Sequence, residues 1–328
     1  MRFPQETIQN MTRLPSLRVA VLIPCYNEEV TIGTVVRDFR AALPDARIYV
    51  YDNNSSDRTV DIARAAGAIV RIERMQGKGH VVRRMFADVD ADYYLLTDGD
   101  ATYEAAAAPR LIARAAAEGL DLVNGARVTD RAAAYRRGHV LGNRVLTGIV
   151  VAIFGRRLSD MLSGYRVFSR RFVKSFPVTS AGFEIETELT VHALELNLPM
   201  AEEKTAYRER PEGSASKLRT YQDGFRILGT ILKLIQRERP LGFYAVIALV
   251  FCVAGLVSGT QVILDFIRTG LVPRLPSAVL ATGLEMIAAL SLVCGVILHS
   301  VAHARQEAKR LAYLMYPVTI RDEETPLA

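Results

Sequence analysis

Residues 18–42 read RVAVLIPCYNEEVTIGTVVRDFRAA, and this stretch decides the fold. Arg18–Pro24 is a short, nearly continuous apolar run, the pattern of a strand buried on both faces. Glu29–Ala42 changes period. Val30, Ile32, Val35, Val36 and Phe39 recur at helical spacing, with charged residues between them. The same alternation continues outward along the chain. Ala46–Tyr51 (ARIYVY), Ala68–Ile72, Tyr93–Thr97 (YYLLT) and Leu120–Asn124 read as strands, whereas Asp57–Ala66, Lys78–Ala87 and Pro109–Glu118 read as helices. Strands alternating with helices predict an α/β domain on a parallel, doubly wound sheet. Such sheets bind ligands beyond the carboxyl ends of their strands. Polar clusters stand at those ends: Cys25–Glu29, Asp52–Thr59, Gly77–Gly79 and Asp98–Asp100.

The chain changes character near residue 240. Leu241–Leu264 carries no charge, and Ser277–Leu298 carries only Glu285. Each run is long enough to cross a hydrocarbon core of roughly 30 Å at about 1.5 Å per residue. A carboxylate inside a span is costly unless it faces protein, water or a partner, so Glu285 is expected to support packing or to snorkel. The outer flanks are basic, with Lys233, Arg237 and Arg239 before the first run and Arg305, Lys309 and Arg310 after the second. The positive-inside rule then places both flanks, and the large N-terminal domain, on the cytoplasmic side of the inner membrane. Within Ser216–Arg239, apolar residues recur at helical spacing among Lys and Arg. That pattern suits a helix in the membrane interface or one packed on the domain. The expected organisation is an N-terminal arm (1–16), a catalytic domain (17–212), an amphipathic juxtamembrane segment (213–239), a transmembrane hairpin (240–299) and a cytoplasmic tail (300–328).

Composition agrees with a soluble domain on a small anchor. Of 328 residues 50% are hydrophobic, and the mean hydropathy is +0.14. The net charge of +6 and pI of about 9.3 admit nucleic acid, anionic lipid or phosphorylated ligands as partners. Cys25, Cys252 and Cys294 form no disulfide framework, which points to a reducing compartment for the catalytic part. The N-terminus has no apolar core of signal-peptide length.

Three clusters carry chemistry. Asp98-Gly99-Asp100 follows the strand YYLLT. Two carboxylates flanking a Gly can share one hard divalent cation, Mg²⁺ or Mn²⁺, with diphosphate oxygens. Such acid pairs are also common in solvated turns, and it is the position at a strand end that favours the metal. Asp52-Asn53-Asn54-Ser55-Ser56-Asp57 is either a polar turn with a helix cap or a site where a carboxylate accepts a nucleobase N–H. Gln76-Gly77-Lys78-Gly79 opens a helix. Glycine allows close backbone approach, and a helix N-terminus with Lys78 attracts phosphate.

In order, VLIPCYNEEVTI (Val21–Ile32), DNNSSDRT, QGKG and DGD resemble family 2 glycosyltransferases of the GT-A fold. Downstream, DMLSGYR (Asp160–Arg166), GFEIETE (Gly182–Glu188) and RPEGSASKL (Arg210–Leu218) are similar to the dolichol/polyprenyl-phosphate sugar synthase branch. The resemblance spans about residues 17–220, and the C-terminal hairpin is similar to that of bacterial membrane-bound members. It implies a Rossmann-like, mostly parallel GT-A sheet, followed by an amphipathic interface helix and a two-helix transmembrane hairpin. It also implies roles at matching positions. Pro24, Tyr26 and Glu28 would line the nucleoside pocket, with Asp52 on the base. Lys78 would meet the donor, and Asp98 and Asp100 would hold the metal and diphosphate. Arg127, Arg210 and Lys217 would meet phosphate groups, and Asp160 would position the sugar, so that Asp100, Asp160 and Arg210 form the catalytic set. Two positions depart from the family: Asn53 stands where an Asp is frequent, and Thr102 where a Gln is frequent.

The implied reaction is inverting transfer from a nucleotide-diphosphate sugar, UDP-linked by preference, to polyprenyl phosphate of the undecaprenyl type. The implied partners are the donor, the lipid phosphate, membrane lipid and a second copy of the chain. Rival readings are a processive polysaccharide synthase, which normally needs a larger membrane channel, and an inactive membrane-tethered nucleotide-sugar binder, which the intact acid pair disfavours. Nucleic acid fits least, because no basic-aromatic stripe is present. In GFEIETE and beyond, Glu184, Glu188 and His192 share one helix face, ordinarily a solvated stripe; whether Glu184, Glu186 or Glu188 faces the site stays open.

Overall fold

The computed structural model describes residues 17–128, 148, 159–182, 184–211, 229 and 232–317. The chain divides into two compact units, one of residues 1–228 with 309–328 and one of residues 229–308. The N-terminal arm, Lys217, the motif beyond Pro211 and most of the amphipathic stretch lie outside the described residues.

In the first unit the order is β1 (Val19–Cys25), α1 (Ile32–Ala42), β2 (Arg47–Asp52), α2 (Thr59–Ala65), β3 (Ile69–Ile72), α3 (Lys78–Asp88) and β4 (Tyr93–Leu96). It continues with α4 (Ala108–Ala117), β5 (Leu122–Val128), β6 (Arg166–Ser169), α5 (Arg170–Ser175), α6 (Ile185–Glu195) and β7 (Met200–Ala206). These strands form a 7-stranded sheet in the order β3-β2-β1-β4-β6-β5-β7. β6 runs antiparallel to β4 and β5, and every other pairing is parallel. The mostly parallel α/β sheet expected from the sequence is therefore present, with β6 inserted between β4 and β5 and β7 added at the edge.

The alternation of β1 explains why its sequence is apolar throughout. Val21, Ile23 and Cys25 face a core shared with α1 and α4, through Ile32, Val35, Val36, Phe39, Leu111 and Ile112. Ala20 and Leu22 face a second core, shared with α3, α5 and α6 through Val81, Met85, Phe86, Phe172 and Leu189. Side chains of a strand alternate between faces, so a strand covered on both sides has no polar positions. α1 begins at Ile32 rather than Glu29 because the chain first turns, with the amides of Thr31 and Ile32 donating to the Glu28 carbonyl. β7 carries Glu202, Glu203 and Lys204 at a sheet edge, where charge blocks further pairing.

Helix α6 is not the amphipathic surface helix that its sequence suggests. Glu186, Glu188 and His192 are all buried. The solvated stripe expected for Glu184, Glu188 and His192 is therefore corrected at its last two positions, because Phe172, Ser175 and Phe176 pack on His192 and the amides of Thr179 and Ser180 donate to Glu188. Burial, reinforced by the positive Lys309 nearby, lowers the His192 pKa to about 3. The unfolded chain binds a proton near its ordinary value of about 6.5, so stability from neutral His192 is full above that pH. It is lost as pH falls from there toward 3. The loss is about 1.4 kcal/mol for each pH unit below about 6.5. Thermal melts at pH 7.5 and 5.5 should therefore differ less in His192→Gln than in the native protein, and an equal difference would contradict this account.

The second unit holds the main part of two long helices, α7 (Pro240–Thr269) and α8 (Leu275–Leu314). Both are long and apolar enough to cross a membrane. Most of their large apolar side chains are exposed, Val257 at 68% and Ile267 at 71%, for example. Their contacts run antiparallel. A side chain at Gly259 would lie 3.4 Å from Ala281, and one at Gly295 would lie 3.0 Å from Tyr244. At Gly255 it would meet the Glu285 carboxylate at 2.5 Å. Glu285 thus turns toward the facing helix, where glycine makes room for it. Beyond the apolar run, HSVAHARQEAKRLAYL (residues 299–314) continues α8, since it is rich in helix formers. The last turn of α8 belongs to the first unit. There Lys309 Nζ lies 2.6 Å from Glu195, and the Tyr313 hydroxyl donates to Asp121 at 2.9 Å.

Candidate active site

The carboxyl ends of β1, β2 and β4 lie side by side, so the loops after them share one rim. Two of these loops are laced together. The amide of Asn27 donates to Ser55 Oγ (2.8 Å), that of Glu28 to Thr59 Oγ1 (2.8 Å), and that of Ser56 to Asn27 Oδ1 (2.8 Å). Asn27 adopts a left-handed backbone, φ 52°, which Asn tolerates better than most residues. The cluster DNNSSD is therefore not only a helix cap. It fixes the loop that carries Tyr26 and Glu28, next to Pro24 near the end of β1.

Asp52 ends β2 and is buried. Its Oδ2 accepts the Ser55 amide at 3.0 Å, while its Oδ1 is buried with no hydrogen-bond partner among the described residues. An unpaired buried acceptor is expensive, and the N–H of a bound base would satisfy it. Asn53 has different work. Its amide nitrogen donates to the carbonyls of Glu73 (2.9 Å) and Met75 (2.8 Å), and its Oδ1 accepts the Gly77 amide (2.7 Å). An Asp here would lack both donors, so Asn53 suits a structural role in holding the QGKG turn.

The glycines of that turn serve close packing. A side chain on Gly77 or Gly79 would collide with the backbone of Ser180 and Ala181, and the Gly79 amide donates to the Ala181 carbonyl at 3.0 Å. The reading of both glycines as room for a ligand is thus corrected: a second loop fills that space. Lys78 points inward, its Nζ 2.6 Å from Asp98 Oδ1 and 2.6 Å from Glu186 Oε1. Burial favours the neutral amine, but Asp98 and Glu186 outweigh it and hold the Lys78 pKa above its ordinary value.

Asp98, Gly99 and Asp100 follow β4. Asp98 lies against the backbone of Gly164, where a side chain would come within 2.6 Å of Oδ2. Asp100 Oδ1 accepts the Thr102 amide (3.1 Å) and hydroxyl (2.6 Å), which steadies the left-handed Ala101 (φ 60°). Thr102 therefore orients Asp100. Arg210 Nη2 lies 2.5 Å from Asp100 Oδ2, and its Nη1 lies 3.8 Å from Glu28. The path of the chain brings it there: Tyr207 bridges to Tyr103, and the Arg208 amide donates to the Thr102 carbonyl at 2.9 Å. Burial and the adjacent Asp98 charge raise the Asp100 pKa, while Arg210 and Thr102 oppose them. The carboxylates of Asp98 and Asp100 thus each carry a cationic side chain. Among the described residues no group of three or more acidic, His or Cys side chains gathers here, so a divalent cation on these two hard oxygen donors would need diphosphate oxygens to complete its shell.

Arg127 and Asp160, read separately in the sequence, form one pair. Arg127 Nε lies 2.7 Å from Asp160 Oδ2 and Nη2 2.8 Å from Oδ1, with the guanidinium 5.5 Å over the Tyr207 ring. Sequence reasoning also passed over Arg166. It is fully buried and donates to the carbonyls of Met161 and Ser163 and to Thr190 Oγ1, so it ties the loop of Asp160–Gly164 to α6. The only signal for it was its place in SGYR.

Comparison with known proteins sets this arrangement in context. Residues 20–176 match the family described as glycosyl transferase family 2. The chain is 35% identical to glycosyltransferase AglJ of Haloferax volcanii over 240 residues, 73% of this chain and 78% of that protein. It is 29% identical to the dolichyl-phosphate hexose transferase of the same organism over 221 residues, 67% of this chain and 95% of the relative. Among solved structures it resembles glucosyl-3-phosphoglycerate synthase from Mycobacterium tuberculosis in complex with Mn²⁺ and uridine-diphosphate-glucose. The TM-score is 0.55 at 21% identity, covering 71% of this chain and 83% of that one, a likeness of fold.

Proposed function

The chain belongs to glycosyl transferase family 2, and on that footing we propose that it moves a hexose from a nucleoside-diphosphate sugar, UDP-linked by preference, to polyprenyl phosphate at the cytoplasmic face of the inner membrane. The observation that carries this reading is the pairing, in one chain, of an acid–base rim suited to phosphate groups with two exposed apolar helices. The dolichyl-phosphate hexose transferase relative supports the acceptor class.

In this account Asp52 takes the base through its unpaired Oδ1, with Pro24, Tyr26 and Glu28 around the nucleoside. Asp98 and Asp100 would hold Mg²⁺ or Mn²⁺, which supplies positive charge to the leaving diphosphate. The nucleophile is a phosphate monoester whose second pKa is about 6, so it is largely dianionic at neutral pH. One of its oxygens attacks the anomeric carbon, the bond from that carbon to the diphosphate breaks, and the diphosphate departs with the electron pair. A strong general base is not required. The residues must position two anionic groups and neutralise them. Lys78 and Arg127 serve the donor side, Arg210 and Lys217 the acceptor, and Asp160 positions the sugar beside Arg127. The second reading, a processive polysaccharide synthase, has no observation in its favour among the described residues.

Nucleotide release tests this reading. Purified enzyme with a panel of UDP- and GDP-hexoses should release nucleoside diphosphate rapidly only when polyprenyl phosphate is added. Release that is equally fast without lipid, or with a soluble sugar acceptor, would contradict it.

A further inference from the structure

We propose that Glu202 is a positioning residue for the donor sugar and acts through Asp160. The inference rests on the reading of Asp160 and Arg127 as donor-side residues given above. Glu202 stands on β7 directly opposite Asn124 of β5. Together the two side chains clasp the chain where it enters the loop Asp160–Gly164. Glu202 Oε2 accepts the Ser159 amide at 2.8 Å, and its Oε1 accepts the Asp160 amide at 3.2 Å and the Asn124 side-chain amide at 2.8 Å. The Asn124 nitrogen also donates to the Asp160 carbonyl at 2.8 Å. The peptide groups on both sides of Asp160 are thus held by side chains of neighbouring strands, which are rigid supports. A carboxylate suits the place, because both of its oxygens accept and three N–H groups converge on them.

The clasp holds the donor side of the rim. Asp160 grips the Arg127 guanidinium with both oxygens, at 2.7 and 2.8 Å, while the Tyr207 ring lies against its face. Burial raises the Tyr207 pKa, the charges of Asp100 and Asp98 raise it further and Arg127 opposes them, so all three act on one hydroxyl. At its far end the same loop reaches the acid pair: Gly164 lies against Asp98, and its amide donates to the Tyr103 hydroxyl at 2.8 Å. Glu202→Gln would turn one of the two acceptors into a donor. Whichever way the amide faces, an N–H of Ser159, Asp160 or Asn124 then meets another N–H, and the loop has to shift. A misplacement of about 1 Å can cost about 10²-fold in rate.

The test is steady-state kinetics of the full chain in detergent, with polyprenyl phosphate and whichever UDP- or GDP-hexose turns over fastest in the nucleotide-release assay. Glu202→Gln should lower kcat/KM for the sugar nucleotide roughly tenfold and leave the KM for lipid phosphate within about twofold of native. Loss of folded enzyme alone would lower kcat and move neither KM. Asp160→Asn should cost more, and Glu202→Gln/Asp160→Asn should match Asp160→Asn, since Glu202 acts through Asp160. Native donor kinetics in Glu202→Gln would overturn the proposal, as would a Glu202→Gln effect that persists on the Asp160→Asn background. Should Glu202→Gln not fold, Asn124→Leu takes its place in the same comparisons. It removes the other half of the clasp together with a buried Oδ1 that has no hydrogen-bond partner among the described residues. Native kinetics in Asp160→Asn, or no turnover of any donor by the native protein, would instead overturn the reading of the site, and the inference with it.

Discussion

Asp100→Asn is expected to lower turnover by about 10³-fold, the size seen when one preorganised electrostatic contact to a developing charge is lost. Asp100 holds Arg210 on one oxygen and Thr102 on the other. Asn preserves the shape and the acceptor for Thr102, so the left-handed turn at Ala101 survives. It also relieves repulsion with Asp98, one of the two causes that raise the Asp100 pKa. The fold should therefore melt within a few degrees of the native protein, while the carboxylate proposed to hold the cation that faces a leaving diphosphate is gone. The measurement is kcat with saturating donor and lipid phosphate, accompanied by thermal melting. Native activity in Asp100→Asn, or native activity in excess chelator, would remove the metal from the account.

Arg210→Ala carries the second large effect, a loss of about 10²-fold in kcat/KM for lipid phosphate. Arg210 is the cationic side chain that the structure places on both Asp100 and Glu28. It lies four residues after the end of β7. A guanidinium can hold a phosphate through two parallel N–H bonds, whereas an ammonium acts as a point charge. Arg210→Lys should therefore recover only part of the loss. Donor binding, titrated without acceptor, should change by no more than a few-fold in either variant. If Arg210→Ala abolished donor binding and left the dependence on lipid phosphate as it was, Arg210 would belong to the diphosphate and not to the acceptor.

Much of the sheet was legible because its signal is local. In β1 and β4, and in the interior of β2, successive residues meet different cores, so the sequence is apolar there, and helix periodicity resumes a few residues after each strand. β6 and β7 were harder to read. β6 is only RVFS, and its antiparallel place between β4 and β5 depends on pairings far away in sequence. β7, MAEEKTA, is polar because it lies at an edge.

The site divides along the same line. Asp98 and Asp100 stand out as an acid pair at a strand end. Of their partners, Lys78 and Arg210 are named from the sequence and Glu186 is left open, but the ion pairs among them are not legible there, since the three come from separate parts of the chain. Helical phase drew attention to Glu184, Glu188 and His192, whereas the residue that meets Lys78 is Glu186, on the other side of a helix buried almost all round. Asn53 looked like a departure from a family pattern. Its purpose appears only once residues 73–77 are seen to hang from its side chain.

The central claim is that a sugar, and not a sugar phosphate, is transferred to a lipid phosphate. The most direct test is to incubate purified enzyme with a labelled nucleoside-diphosphate hexose and polyprenyl phosphate, extract the lipid and determine its mass. The account predicts a hexosyl polyprenyl monophosphate with inverted anomeric configuration, formed together with nucleoside diphosphate. A diphosphate-linked lipid formed with nucleoside monophosphate, or label found only in a lipid-free glycan, would contradict it.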